Sequence, residues 1–224
     1  MSLKSFFQPR LSAKTIRPKP GRKNTLFYNP TPLCSFIFGI GSSLFLAGII
    51  GLFFLYTPLI KAYFNYKFGP SMNEETFAPP TDYEDFYLFI PKLKASSKVY
   101  INTDFVNKEN YLEVLKKGVA HAAGSGFPDQ NRTIYLFAHS TNAPFNVVRY
   151  NAVFFLLNEL EKEDLVVLFF NGQHYRYKVF DKIIARSEDK EYLNYSEDRE
   201  VLLLQTCYPP GTTWHRLLVF AEPI

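Results

Sequence analysis

Residues 24 to 60 carry no charged side chain, and within them Leu33 to Tyr56 is almost wholly apolar. Roughly 20 apolar residues in a helix cross the bilayer core. Backbone polar groups in lipid must find their partners inside the segment, so a helix is the form such a run takes there. The run predicts one transmembrane helix, placed at residues 32–60. A cleaved signal peptide is the competing reading, but its apolar region spans about 7–15 residues. This one is longer, and no small-x-small cleavage site follows it. Lys4, Arg10, Lys14, Arg17, Lys19, Arg22 and Lys23 precede the run, and the first acidic residue of the chain is Glu74. That asymmetry predicts a cytoplasmic amino terminus and an exported carboxy-terminal part.

The same split organises the rest of the 224 residues. Residues 1–31 are a basic cytoplasmic tail and residues 32–60 the anchor. Residues 61–82 are a linker marked by Gly69-Pro70 and Pro79-Pro80, and residues 83–224 form one domain long enough to bury a core. The formal charge of +4 hides an uneven distribution, because the seven residues of the tail leave 18 basic against 21 acidic residues, a net of −3. The exported part therefore offers no nucleic-acid surface. The basic tail is accounted for by topology and by anionic lipid at the inner leaflet. Of two cysteines, Cys34 lies at the cytoplasmic end of the apolar run and Cys207 in the exported domain. They cannot pair within one chain. A lone exported thiol either reacts, pairs with another molecule, or is buried as a small hydrophobe.

From Phe86 onward the pattern is one of short apolar runs separated by turn signals. Strands are expected at Phe86–Ile90, Lys98–Ile101, Val119–Ala122, Thr133–His139, Leu165–Phe170, Tyr175–Phe180, Val201–Thr206 and Arg216–Ala221. Asn171-Gly172 is the strongest hairpin signal. Helices are expected at Lys108–Lys117, stopped by Gly118, and at Tyr150–Leu160. Short strands without a βαβ rhythm predict a mostly antiparallel barrel or sandwich.

The chemistry concentrates at strand ends. Cys207 ends the run Val201 to Thr206, the chain breaks at Pro209-Pro210-Gly211, and Arg216 opens the next strand. A thiol becomes a nucleophile as thiolate, which needs a proton acceptor or a nearby positive charge. A cation can also hold the oxyanion of a tetrahedral intermediate. Of four histidines, His139 follows a strong strand and precedes Ser140-Thr141-Asn142, where the chain turns. His174 falls in a hairpin and is expected to face solvent. His121 suits a structural or groove-lining role, and His215 should point away from the face that carries Arg216. Each candidate has an ordinary alternative: a hydrogen-bonded strand-end histidine for His139, and pairing with the carboxylates of Glu188 to Glu200 for Arg216.

These residues resemble a family. Leu204-Gln205-Thr206-Cys207 resembles the Thr-Leu-x-Thr-Cys signature of sortases, the membrane-anchored cysteine transpeptidases. Ala138-His139-Ser140 is similar to their histidine motif and Arg216-Leu217-Leu218-Val219 to their arginine strand, in the order His, Cys, Arg. Ile90-Pro91-Lys92-Leu93 and Leu115 to His121 resemble further segments, and His215 to Val219 is locally most similar to the pilin-polymerising class. The likeness spans about Phe86 to Phe220. It departs at Leu203, where threonine is usual, at Ala138, where glycine is common, and in residues 61–85, which hold no Asp-Pro-aromatic lid.

The resemblance implies a mostly β fold, an eight-stranded sortase-type barrel with two or three short helices behind one transmembrane helix. It implies that His139, Cys207 and Arg216 are catalytic and that Thr206, Tyr208, Trp214 and Ser140 contact substrate, with plain packing an equal reading for Trp214. It also implies cleavage of a Leu-Pro-x-Thr-Gly-like sorting signal through a thioacyl enzyme. The acyl group then passes to an amine of a lipid-linked peptidoglycan precursor or a pilin lysine. The segment Asp181 to Glu200 resembles the wall of the substrate groove. No cofactor is expected, although Glu188, Asp189, Glu191, Glu197 and Asp198 could hold calcium as in some relatives. A cysteine peptidase that only hydrolyses, and a non-catalytic anchored β-domain, remain open as alternatives.

Overall fold

An uncharged run in which every backbone group must bond internally leaves little choice but a long helix. The computed structural model describes residues 32–72, 77, 86–104, 106, 108–140, 153–189, 191–194 and 198–224. In it α1 spans Pro32–Phe68, of which Ser35–Thr57 is long and apolar enough to cross a membrane. The helix continues eight residues past residue 60. Two of its hydroxyls fold back on their own turn: Ser43 Oγ donates to Ile40 O at 2.8 Å and Thr57 Oγ1 to Phe53 O at 2.6 Å, so neither is left an unpaired donor on an apolar helix. At the other end Asn65 O accepts the Gly69 N–H at 2.9 Å. Lys94 Nζ donates to Asn65 O, Tyr66 O and, just past the helix, Gly69 O at 2.7, 3.1 and 2.6 Å, placing a cation on the negative end of the helix dipole.

Eight strands close into a barrel in the order β1-β2-β3-β4-β7-β8-β6-β5. They are β1 (Tyr87–Ile90), β2 (Ala95–Thr103), β3 (Val119–Ala122), β4 (Thr133–Phe137), β5 (Leu165–Phe170), β6 (Gln173–Arg186), β7 (Val201–Tyr208) and β8 (His215–Pro223). Helix α2 (Lys108–Lys117) lies between β2 and β3. Asn171-Gly172 turns β5 into β6 with both residues at positive φ, 49° and 76°, the twist that a two-residue hairpin requires. Gly118 ends α2, where a side chain could not fit: a Cβ there would lie 2.5 Å from Lys98 O.

Alternation sorts the strand residues into two layers. Ile134, Leu136, Leu202, Leu204, Leu217 and Val219 fill the interior. Tyr135, Phe137, Val201, Leu203, Leu218 and Phe220 form a second apolar layer on the outer side of β4, β7 and β8, joined by Leu115 of α2 and the half-buried Tyr111 and Val114. A third patch, Tyr87, Phe89, Val167 and Phe169, is covered by Met72 and Phe77, whose ring stacks on Phe89 at 4.1 Å.

Two expectations need correction. The helix expected over Tyr150–Leu160 is, in its described part, a turn followed by a 3-10 turn at Leu157–Glu159; residues 150–152 lie outside the described residues. Val153, Phe154, Leu156, Leu157 and Leu160 are all buried in the interior cluster; their spacing matches a helical stripe, but burial in an irregular turn serves them equally. Lys182 Nζ satisfies the Asn158 and Leu160 carbonyls at 2.6 and 2.8 Å. The strand expected at Tyr175–Phe180 runs on to Arg186, bulging between Val179 and Asp181, so Asp181 to Arg186 belong to the sheet and not to a loop.

His121 holds the structural role anticipated for it. It is fully buried, accepts the Asn102 N–H at Nδ1 (3.3 Å) and places Nε2 2.8 Å from Gly126 O. Burial holds both His121 and His139 below the ordinary histidine value of 6.5. The unfolded chain then binds more protons than the folded one below 6.5, so the contribution to stability is full above that pH and is lost as pH falls through it. Urea unfolding of the chain in detergent is expected to show a lower midpoint at about pH 5 than at about pH 8. His121→Asn should weaken that dependence and cost about 1–3 kcal/mol at the higher pH.

Candidate active site

The site is built from the carboxy-terminal ends of β4 and β7 and the start of β8. In the antiparallel β7–β8 pair, Cys207 stands opposite Arg216. Both belong to the outward set of their strands, two residues beyond Gln205 and two before Leu218. The guanidinium Nη1 donates to Cys207 Sγ at 3.7 Å and reaches the carbonyls of Thr213 and His215 at 3.3 and 3.2 Å. Among the described residues no carboxylate pairs with Arg216, so its charge is directed to the thiol and not to a surface acid.

His139 arrives by a different route. Strand β4 runs parallel to β7 with Phe137 level with Gln205. Pairing continues past the strand end, where Ala138 N donates to Gln205 O at 3.1 Å. The buried Thr206, 3% exposed, donates its hydroxyl to Ala138 O at 2.9 Å. Two backbone-directed bonds thus hold Ala138, the residue before His139, against β7.

Burial sets the electrostatics. Desolvation pushes the Cys207 thiol above its ordinary 9.0, partly countered by the Arg216 charge. Desolvation holds His139 below 6.5. At neutral pH the resting pair is thiol and neutral imidazole.

The remaining predicted residues occupy different places. Thr206 and Tyr208 lie on the inward set of β7, and Tyr208 packs against the interior cluster. Ser140, 1% exposed, is buried next to His139, its hydroxyl without a partner among the described residues. Trp214 is 70% exposed on the turn before β8. Thr206 and Tyr208 thus lie on the face of β7 opposite to Cys207. His174 is exposed, as expected, and His215, whose parity on β8 is opposite to that of Arg216, is exposed as well. Glu188 accepts the Ser187 hydroxyl and Asp189 the Arg186 N–H. Among the described residues no three acidic, histidine or cysteine side chains gather as a metal site, and Glu197 lies outside those residues.

Three residues at this face escaped the reading of the sequence. Tyr135 donates its phenol to Gln205 Oε1 at 2.6 Å, and Tyr192, from the 3-10 turn at Glu191–Asn194, packs on the same outer apolar layer. The charges of Arg216 and Cys207 act on both phenols, which burial pushes above the usual tyrosine value. Parity along β7 would have pointed to Gln205, which shares its face with Cys207; nothing local marks the two tyrosines.

Comparisons with known proteins agree with this arrangement. A model of the sortase domain matches residues 88–224. Sortase D of Bacillus subtilis (strain 168) is 30% identical over 155 residues, which is 68% of this chain and 70% of that protein. Among solved structures, sortase C1 from Streptococcus suis is 27% identical, covers 63% of this chain and 74% of its own, and superposes with a TM-score of 0.52. Sortase C-1 from Actinomyces oris shares the fold at 23% identity, with 76% and 98% of the two chains covered and a TM-score of 0.54. A closed eight-stranded barrel with a thiol and a guanidinium paired across its last two strands, matched over nearly all of its length, belongs to the sortase family of cysteine transpeptidases.

Proposed function

We propose that Cys207, His139 and Arg216 are the catalytic residues and that the chain cleaves a Leu-Pro-x-Thr-Gly-like sorting signal on a surface protein. The observation that carries this reading is the cross-strand pair: a half-buried thiol facing an arginine that has no carboxylate partner among the described residues. Cys207 Sγ attacks the carbonyl carbon of the Thr–Gly bond, and its proton passes to the neutral His139 imidazole. Arg216 holds the oxyanion while the tetrahedral intermediate stands. The imidazolium then protonates the departing glycine amine, the C–N bond breaks, and a thioester to Cys207 remains. An incoming amine, from a lipid-linked peptidoglycan precursor or a pilin lysine, gives its proton to His139 and displaces the thiol. The basic tail and the single apolar helix support a single-pass anchor in the cell membrane, amino terminus in the cytoplasm and barrel outside.

The test is incubation of the chain in detergent with a sorting peptide, with and without a saturating amine. A peptide–amine conjugate is expected, and Cys207→Ala should lower its formation by at least about 10³-fold. Free acid alone despite saturating amine would leave a hydrolase.

The shifts of His139 below 6.5 and Cys207 above 9.0 make the thiol–imidazole pair the dominant form between them. A plot of kcat/KM against pH is expected to be flat across neutrality, with an acid limb below 6.5 and an alkaline limb above 9.0. Alkylation of native Cys207 by iodoacetamide should accelerate with pH beyond 9.0. Arg216→Met, which keeps the stem and removes the charge, should slow it at any fixed pH. A thiol inert until the chain unfolds would sink the catalytic assignment.

A further inference from the structure

Gln205 is a half-buried carboxamide on an apolar outer layer, an unfavourable place for a polar side chain unless its groups are used. It stands on β7 two residues before Cys207, on the same outward face, one side-chain step or about 7 Å along the strand. An amide offers one acceptor oxygen and two N–H donors. Its oxygen is already committed, because the Tyr135 phenol donates to Oε1 at 2.6 Å. Tyr135 itself is buried and cannot move aside cheaply. Its ring packs against Phe137 at 5.7 Å. With the oxygen held from the β4 side, Nε2 is turned away from Tyr135, and its two hydrogens have no acceptor among the described residues. Its cross-strand neighbours Phe137 and Leu218 and its same-face neighbour Leu203 are apolar, and Arg216 is another donor. A donor held by Tyr135 thus lies one side-chain step from the thiol.

We propose that Gln205 is a specificity-determining residue. It donates from Nε2 to an acceptor side chain of the bound peptide two residues before the scissile bond, with Tyr135 as the positioning residue that sets the carboxamide's orientation. An extended peptide advances about 3.3 Å per residue, so a peptide that lies along β7 with its scissile carbonyl at Cys207 and its amino-terminal part toward the start of the strand brings that side chain within range of Gln205. This rests on the sorting-peptide reading above and names the variable position of the motif as the one selected. The preferred side chains are Asp, Asn, Glu or Gln; Lys is disfavoured because it meets a donor with a donor.

The test uses the full chain in detergent and Leu-Pro-x-Thr-Gly peptides with Asp, Asn, Ala or Lys at x. Cleavage is measured on the otherwise native chain, and equilibrium binding on chains that also carry Cys207→Ala. The native chain is expected to favour Asp and Asn over Lys by about threefold to tenfold, the span of one net hydrogen bond, with the difference in KM and not in kcat. Gln205→Met keeps the length but has no donor, and should bring the four peptides to within about twofold. Gln205→Glu presents an acceptor and should reverse the order in favour of Lys. Tyr135→Phe should weaken the preference while leaving the Gln205 donor present. An identical ranking in the native chain and both Gln205 variants overturns the proposal, as does a uniform loss across all peptides. If no peptide is cleaved, the transpeptidase reading fails by itself, and the binding ranking on the Cys207→Ala chains still decides whether Gln205 selects.

Discussion

The parallel pairing of β4 with β7 is the constraint on which the rest of the molecule depends. Five consecutive residue pairs, Thr133 with Val201 through Phe137 with Gln205, join segments almost 70 residues apart in the sequence. This pairing closes the barrel between its first four strands and its last four. It also lays down both apolar layers, since the inward and outward sets of these two strands supply the centre of each. The bonds from Ala138 N to Gln205 O and from Thr206 Oγ1 to Ala138 O are the last rungs of that ladder. The segment carrying His139 is thus positioned by the same interaction that holds the barrel shut.

Putting the site on the outer side of the strands has an electrostatic result. Side chains in the outer layer are dry because α2 and the Glu191–Asn194 turn cover the sheet. Desolvation is therefore the leading influence on Cys207, His139, Tyr135 and Tyr192 alike, and it drives every one of them toward its neutral form. Arg216 supplies a positive charge beside them. One fixed cation among neutral partners acts on whatever negative charge develops there, and its field is little screened in a low-dielectric setting.

Much of this could be read from the residues alone. The Asn171-Gly172 turn, the stop of α2 at Gly118 and the eight strands follow from local rules about φ, close approach and alternation. The facing of Cys207 and Arg216 was legible too, because a short break between two strands makes them antiparallel neighbours. Information of longer range was not. Nothing in Thr133–Phe137 says that its parallel partner is Val201–Gln205. The extension of β6 past Phe180 has no local signal, because Asp181 and Lys182 follow it; on this partly exposed strand such residues cost little, and Lys182 caps the Leu157–Glu159 turn. The apolar residues of Val153 to Leu160 fit a helical stripe, whereas in the fold an irregular turn carries them into the interior cluster. Tyr135 and Tyr192 carry no motif; only the folded chain shows that they border the thiol.

Strand β7 presents Cys207 outward and Thr206 inward, one residue apart. In evolutionary terms this makes the site intolerant of odd-length insertions and deletions upstream in β7. Losing one residue would turn the thiol into the interior, bring Tyr208 to its place and move every strand residue beyond the gap to the opposite layer. Losing two would keep each side chain on its face and shift only the level. Length changes among descendants of this chain should therefore collect in the turns, at Pro209 to Trp214 and beyond Arg186, where the count of residues has no parity to preserve.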